Sequence, residues 1–297
     1  MRLPIPQIFR SREPKPNRDL KVVRRRTPYA HPDVPFITLW SQKSGCTSVL
    51  KWHLFHAGLL EEALAFRSEK TSLNIHVFQN DWVKQHRGHG RRILRSFKTG
   101  EKPVINFMRD PWTRIYSCYL HSYSPALARL KNRGVENNAM RLRMQIVSGL
   151  FGEDAELDTP YSFLEYLQWI KAQALDGLNP HHSPQYSALY DLAQPRHFRL
   201  EDFRQATRLL EEEFGLEDSR SSRELFTSKH HKAKTAMPAA QALEALQQGL
   251  PLARERDYPL PTVNRELLVG TEMGTLVEEI LARDIAIYDS IEPLPAT

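Results

Sequence analysis

The sequence predicts an α/β fold: one main domain with a central parallel sheet flanked by helices. Three observations carry this. Twice, near 35–60 and near 103–123, a short apolar run rich in β-branched and aromatic residues passes through a small polar loop into a helical pattern. A third stretch, His197-Phe198-Arg199-Leu200-Glu201-Asp202-Phe203, reads as a strand entering a helix that ends near Gly215. Strands alternating with helices pair in parallel, and such sheets hold ligands outside the carboxyl ends of their strands.

With 297 residues, 41% of them hydrophobic, the chain can bury a substantial core. Its net charge of +6 is unevenly spread. Residues 1–35 form a Pro/Arg-rich basic arm with nine Lys/Arg against Glu13, Asp19 and Asp33, so the domain at 36–297 is formally neutral. A neutral body argues against nucleic acid as a partner. The arm reads as a solvated tail packed along the domain, with peripheral contact to a charged partner or an anionic membrane surface as the alternative. It lacks the continuous apolar segment of a signal peptide or anchor, and no later stretch approaches the roughly 18 uninterrupted apolar residues of a spanning helix, so a cytoplasmic protein is expected. Two cysteines, Cys46 and Cys118, have no metal-ligand spacing and imply no disulfide framework.

The first unit runs from Pro35-Phe36-Ile37-Thr38-Leu39-Trp40 through Gln42-Lys43-Ser44-Gly45-Cys46-Thr47-Ser48 into a pattern that Gly58 can close. The small polar loop lets successive N–H groups turn toward an anion at the positive end of the new helix, with donors added by Lys43, Thr47 and Ser48. An ordinary helix start is the alternative. The common nucleotide loop places its lysine after the second glycine, whereas Lys43 precedes the only glycine here. Between 68 and 100 lie a short apolar element at Leu73 to Phe78 and a basic run containing Lys84, Arg87, Arg91, Arg92, Arg95 and Lys98. A solvated helix face explains the run; an entrance for an anionic substrate is the second possibility.

The second unit is Pro103-Val104-Ile105-Asn106-Phe107-Met108, then Arg109-Asp110-Pro111, then Trp112 to Tyr123. Asp110 suits an N-cap and Pro111 a first helical residue. Ser117 shares a helix face with Thr113 and Arg114, so Arg109 and Ser117 can approach one anion from the strand end and the helix side. Helix signals continue through Leu127 to Leu150 and from the capping box Ser162-Phe163-Leu164-Glu165 to a stop at Gly177. The acidic pair Glu201-Asp202 is a candidate site element, with capping of the helix after the third strand the expected role of Asp202. The last helix, Gly274 to Ser290, has the spacing of core packing.

The segments Lys43-Ser44-Gly45-Cys46-Thr47-Ser48 and Arg109-Asp110-Pro111-Trp112-Thr113-Arg114-Ile115-Tyr116-Ser117-Cys118-Tyr119 resemble the two cofactor motifs of sulfotransferases that use 3′-phosphoadenosine 5′-phosphosulfate (PAPS). The branch most similar is that of the carbohydrate sulfotransferases, including the chondroitin and dermatan enzymes and their bacterial relatives. The resemblance implies a P-loop-like domain in which Lys43 to Ser48 hold the 5′-phosphosulfate, while Arg109 and Ser117 hold the 3′-phosphate. Asn179-Pro180-His181-His182-Ser183-Pro184-Gln185 resembles the family's histidine loop, with His182 where Trp is usual, so His181 or His182 is the implied base. Ser228 to Lys234 is implied as a basic cover for the nucleotide. The acceptor would be a hydroxyl of a carbohydrate or glycolipid, with Lys43 and the loop N–H groups stabilising the departing phosphate and no metal required. An ATP-dependent phosphotransferase and a noncatalytic nucleotide-binding protein are the rival readings.

Overall fold

The computed structural model describes residues 18–66, 74–123, 127, 138–175, 178–222, 226, 237–250 and 259–295. Its centre is β2 (Val104–Met108), whose five residues, all apolar but Asn106, are buried, as a strand must be when both sheet faces are covered. β2 pairs in parallel with β1 (Ile37–Leu39) and β3 (Arg196–Arg199), giving a three-stranded sheet in the order β1-β2-β3. The registers set Ile37 against Val104 and Met108 against Arg199.

Side chains alternate between the two faces. Phe36, Ile105, Phe107 and Phe198 point into a core shared with α2 (Cys46–His56) and the helix Phe203–Phe214. Ile37, Leu39, Val104 and Met108 point into the opposite core, with α1 (Arg18–Arg25) and α5 (His89–Thr99). A third core lies beyond α6 (Pro111–Tyr119), which packs with helices Phe163–Lys171 and Glu272–Asp289. Within it the fully buried Arg143 lies over the rings of Tyr123 and Tyr161 and donates to the carbonyls of Ser122, Leu157 and Thr159. Helices α3 (Leu60–Ala65) and α4 (Asn74–Gln85) complete the first half.

Several expectations are refined. The second half of the basic arm is built into the fold: Leu20, Val23, Tyr29 and Val34 are buried, and Tyr29 exchanges two 2.9 Å backbone hydrogen bonds with Thr38 on the edge of β1. Residues 1–17 lie outside the described residues, as do Gly177 and Ser228 to Lys234. The capping box forms in full at Ser162 and Glu165, but its helix ends at Lys171, ahead of Gly177. Leu127 is helical, and the next described helix is Asn138–Phe151. Asp202 does not cap the helix it precedes; its carboxylate accepts the Leu294 N–H at 3.0 Å. A one-turn 3-10 segment, Leu200–Asp202, intervenes between strand and helix and displaces that side chain. Among the described residues no helix is long and apolar enough to cross a membrane.

Candidate functional site

At the carboxyl end of β1 the chain turns through two left-handed residues, Lys43 at φ 64° and Gly45 at φ 66°. Glycine suits position 45 on two counts: it takes the left-handed backbone freely, and a Cβ there would lie 2.6 Å from Leu200 Cδ1, so that side chain would have to shift. α2 starts at Cys46, so Cys46, Thr47 and Ser48 belong to the first helical turn and the loop proper is Gln42 to Gly45. The first ladder bond, Val49 N–H to Gly45 C=O at 3.0 Å, leaves the N–H groups of those three residues ahead of the ladder. Thr47 Oγ1 shares a 3.1 Å hydrogen bond with His76 Nε2. Burial pushes the Cys46 thiol pKa up despite its place at a helix start, so it acts as the small residue that a tight turn needs.

The second unit forms as its residues dictate. Asp110 Oδ1 accepts the Thr113 N–H at 2.7 Å and Pro111 opens α6. Arg109, at the end of β2, reaches back to the first loop, donating from Nη1 to Lys43 C=O at 3.0 Å. Arg114 is fully buried, and bonds Gln42 C=O through Nε (3.1 Å) and Ser183 C=O through Nη2 (2.9 Å), while its Nη1 is enclosed without a partner. Thr113 and Ser117, one turn apart, are the partly open positions of α6, and Ser117 bonds neither to Arg109 nor to the first loop.

The histidine loop folds against both units. Asn179 Oδ1 accepts from His181 N–H at 3.0 Å and lies 3.1 Å from His181 Nδ1, and the His181 ring stacks on His121 at 4.4 Å. An amide oxygen only accepts, so Nδ1 carries the proton and the lone pair sits on Nε2. His182 is 3% exposed and its Nδ1 shares a hydrogen bond with Tyr166 Oη. Burial, reinforced by Lys43 and Arg114, lowers the pKa of His181 to about 4; burial, with His181 and Lys43 next, lowers that of His182 to about 3. Both rings are neutral at neutral pH.

Gln185 ties the parts together. Its Oε1 accepts from the Ser44 hydroxyl and from Arg109 N–H (3.0 Å), and its Nε2 donates to Arg109 C=O (2.8 Å). Asp284, fully buried on the last helix, accepts the N–H groups of Gln185 and Tyr186, each at 2.7 Å. Arg26 donates to Gln185 C=O at 3.0 Å. Glu201 fixes the second loop, accepting Asp110 N–H at 3.1 Å and the Tyr288 hydroxyl at 3.0 Å. Arg26, Lys43, Arg109 and Arg114 therefore converge at the strand ends with no direct ion pair to any described carboxylate. Burial lowers the pKa of Arg26, Lys43 and Arg109.

Sequence reasoning missed Gln185, Asp284, Arg26, His76 and His121 as parts of this cluster. Asp284 left a signal, a lone carboxylate within the apolar stripe of Leu276, Val277, Ile280, Leu281 and Tyr288. Gln185 closes the histidine loop and His121 follows α6 directly, but neither residue type announces a role there, while Arg26 and His76 come from distant elements.

The geometry defines an α/β protein whose small parallel sheet, flanked by helices, carries a cation-lined turn at its strand ends. Comparison with protein-family models, with curated proteins and with solved structures finds no match in any of the three.

Proposed function

We propose that this chain is a PAPS-dependent sulfotransferase: a P-loop-like, cytoplasmic, single-domain enzyme that moves a sulfuryl group to a hydroxyl of a carbohydrate or glycolipid. The observation that carries the proposal is the group of four buried or half-buried cations beside the N-terminus of α2 and a neutral histidine, faced by a single buried carboxylate, Asp284, that acts on Arg114 and Arg26 without a direct ion pair. A buried set of cations is costly unless an anion completes it, and one with phosphates at both ends suits two adjacent loops.

In this reading the N–H groups at Cys46 to Ser48, with Lys43, hold the 5′-phosphosulfate. Arg109 and Ser117 hold the 3′-phosphate; one Arg109 donor is committed to Lys43 C=O and the rest serve the ligand. His181 is the base in preference to His182, whose ring is enclosed and engaged by Tyr166. The acceptor oxygen bonds to sulfur as the bond from sulfur to the 5′-phosphate oxygen breaks, the hydroxyl proton passes to His181 Nε2, and the negative charge left on phosphate is met by Lys43. The products are a sulfated acceptor and adenosine 3′,5′-bisphosphate.

Calorimetric titration with adenosine 3′,5′-bisphosphate, ATP and the analogue lacking the 3′-phosphate tests this. Binding should require the 3′-phosphate and fall at least about tenfold in Arg109→Ala, the loss of one charge-assisted contact. A preference for ATP with magnesium, or no binding, would sink the proposal in favour of a phosphotransferase or an unrelated activity.

A further inference from the structure

Two basic stretches that lie some seventy residues apart in the chain meet on one surface. α1 exposes Arg18, Lys21, Arg24 and Arg25. α5 exposes Arg91, Arg92, Arg95 and Lys98. The helices pack antiparallel: Asp19 near the start of α1 pairs with Lys98 near the end of α5 at 3.4 Å, and Gly90 at the start of α5 lies against Leu20 and Arg24, where an added Cβ would make ordinary van der Waals contact at 3.5 and 3.7 Å. Their apolar sides, Leu20 and Val23 on α1 and Ile93 and Leu94 on α5, turn into the core and leave the basic sides outward. The two helices carry eight basic residues and one acidic residue, +7, which exceeds the +6 of the whole chain, so everything else sums to −1. Only Lys98 and Arg95 pair with carboxylates, Asp19 and Glu101, among the described residues.

We infer that the α1–α5 face docks this protein on an anionic phospholipid surface. Two adjacent helices present seven or more long cationic side chains on one side, complementary in charge to a layer of anionic headgroups. Among the described residues the exposed large hydrophobic side chains, Phe151 and Val269, lie on neither helix, so α1 and α5 offer single-stranded nucleic acid no exposed aromatic platform. The inference does not depend on the catalytic proposal, because it is read by binding to vesicles alone.

The test is co-sedimentation of the full chain with phosphatidylcholine vesicles and with vesicles that also contain phosphatidylserine. The protein should sediment with the anionic vesicles alone and be released as salt is raised. The combined variant Lys21→Glu, Arg24→Glu, Arg91→Glu should lose at least about tenfold in partitioning, since each basic group near such a surface contributes a several-fold factor. Arg204→Glu, an exposed charge on another helix, should change it little. Circular dichroism shows whether the reversed variant folds; if it does not, Arg24→Gln with Arg91→Gln gives the same readout with a smaller drop. Equal binding to both vesicle types, unchanged binding by the variants, or tighter binding to duplex DNA than to anionic vesicles at the same salt would overturn the inference.

Discussion

The cations at the strand ends and the cations on the α1–α5 face are the same residue types in opposite surroundings. Around the loop, Arg114 is fully buried and divided between the carbonyls of Gln42 and Ser183, and desolvation lowers the pKa of Lys43 and Arg109. On α1 and α5 the side chains stand in water and the ion pairs are few and exposed. Burial, more than the sign or number of charges, decides what a cation can do. The buried set is tied to backbone carbonyls and constrains the fold, whereas the exposed set is an adjustable field that costs the fold little.

Acid should break the buried side first. His31, His89 and His182 are buried, and burial is the leading cause that lowers them to about 3, about 4 and about 3. A histidine whose folded pKa lies below its unfolded value loses stability as pH falls from about 6.5 toward the folded pKa, because the unfolded chain takes up the proton first. At about pH 5 this amounts to roughly 2 kcal/mol for each ring. The melting temperature should therefore drop steeply between about pH 6.5 and about pH 4; a flat profile would mean that these rings are solvated.

Gln185→Ala comes next. It leaves the Ser44 hydroxyl and both backbone groups of Arg109 without their buried partner, at a cost of roughly 3 kcal/mol or more, read as a lowered urea midpoint at constant slope. Gly45→Ala should cost about 1–2 kcal/mol for the left-handed backbone and the push on Leu200, and should weaken adenosine 3′,5′-bisphosphate more than it lowers the melting point. The smallest effect belongs to the exposed side: Arg91→Ala should change stability by no more than about 0.5 kcal/mol. If Arg91→Ala proved as costly as Gln185→Ala, the contrast between the two regions would fail.

What could be read from the sequence divides along a similar line. The strand-loop-helix units, the Asp110-Pro111 helix start and the Ser162/Glu165 box were legible because each is a local pattern completed within a few residues. The parallel pairing follows from those units and is present in a three-stranded form. The convergence of Gln185, Asp284, Arg26 and His121 on the loop was not legible, since each link spans about sixty residues or more and involves residue types equally at home on a surface. Asp202 shows a local rule overridden: a residue of the right type before a helix is drawn instead to the Leu294 N–H by the returning chain. The basic arm was legible as charge but not as structure, because Leu20, Val23 and Tyr29 are too few and too spaced to announce burial.

The backbone pairing of Tyr29 with Thr38 has a consequence for how this protein behaves in a crowd. β1 is an edge strand of only three residues, and the N–H and C=O of Thr38 point away from β2. Tyr29 occupies both groups, so the outward rung at Thr38, the middle of β1, is closed to a strand added by a second chain. Concentrated protein should resist edge-to-edge fibre formation along β1 for as long as that single residue keeps its place.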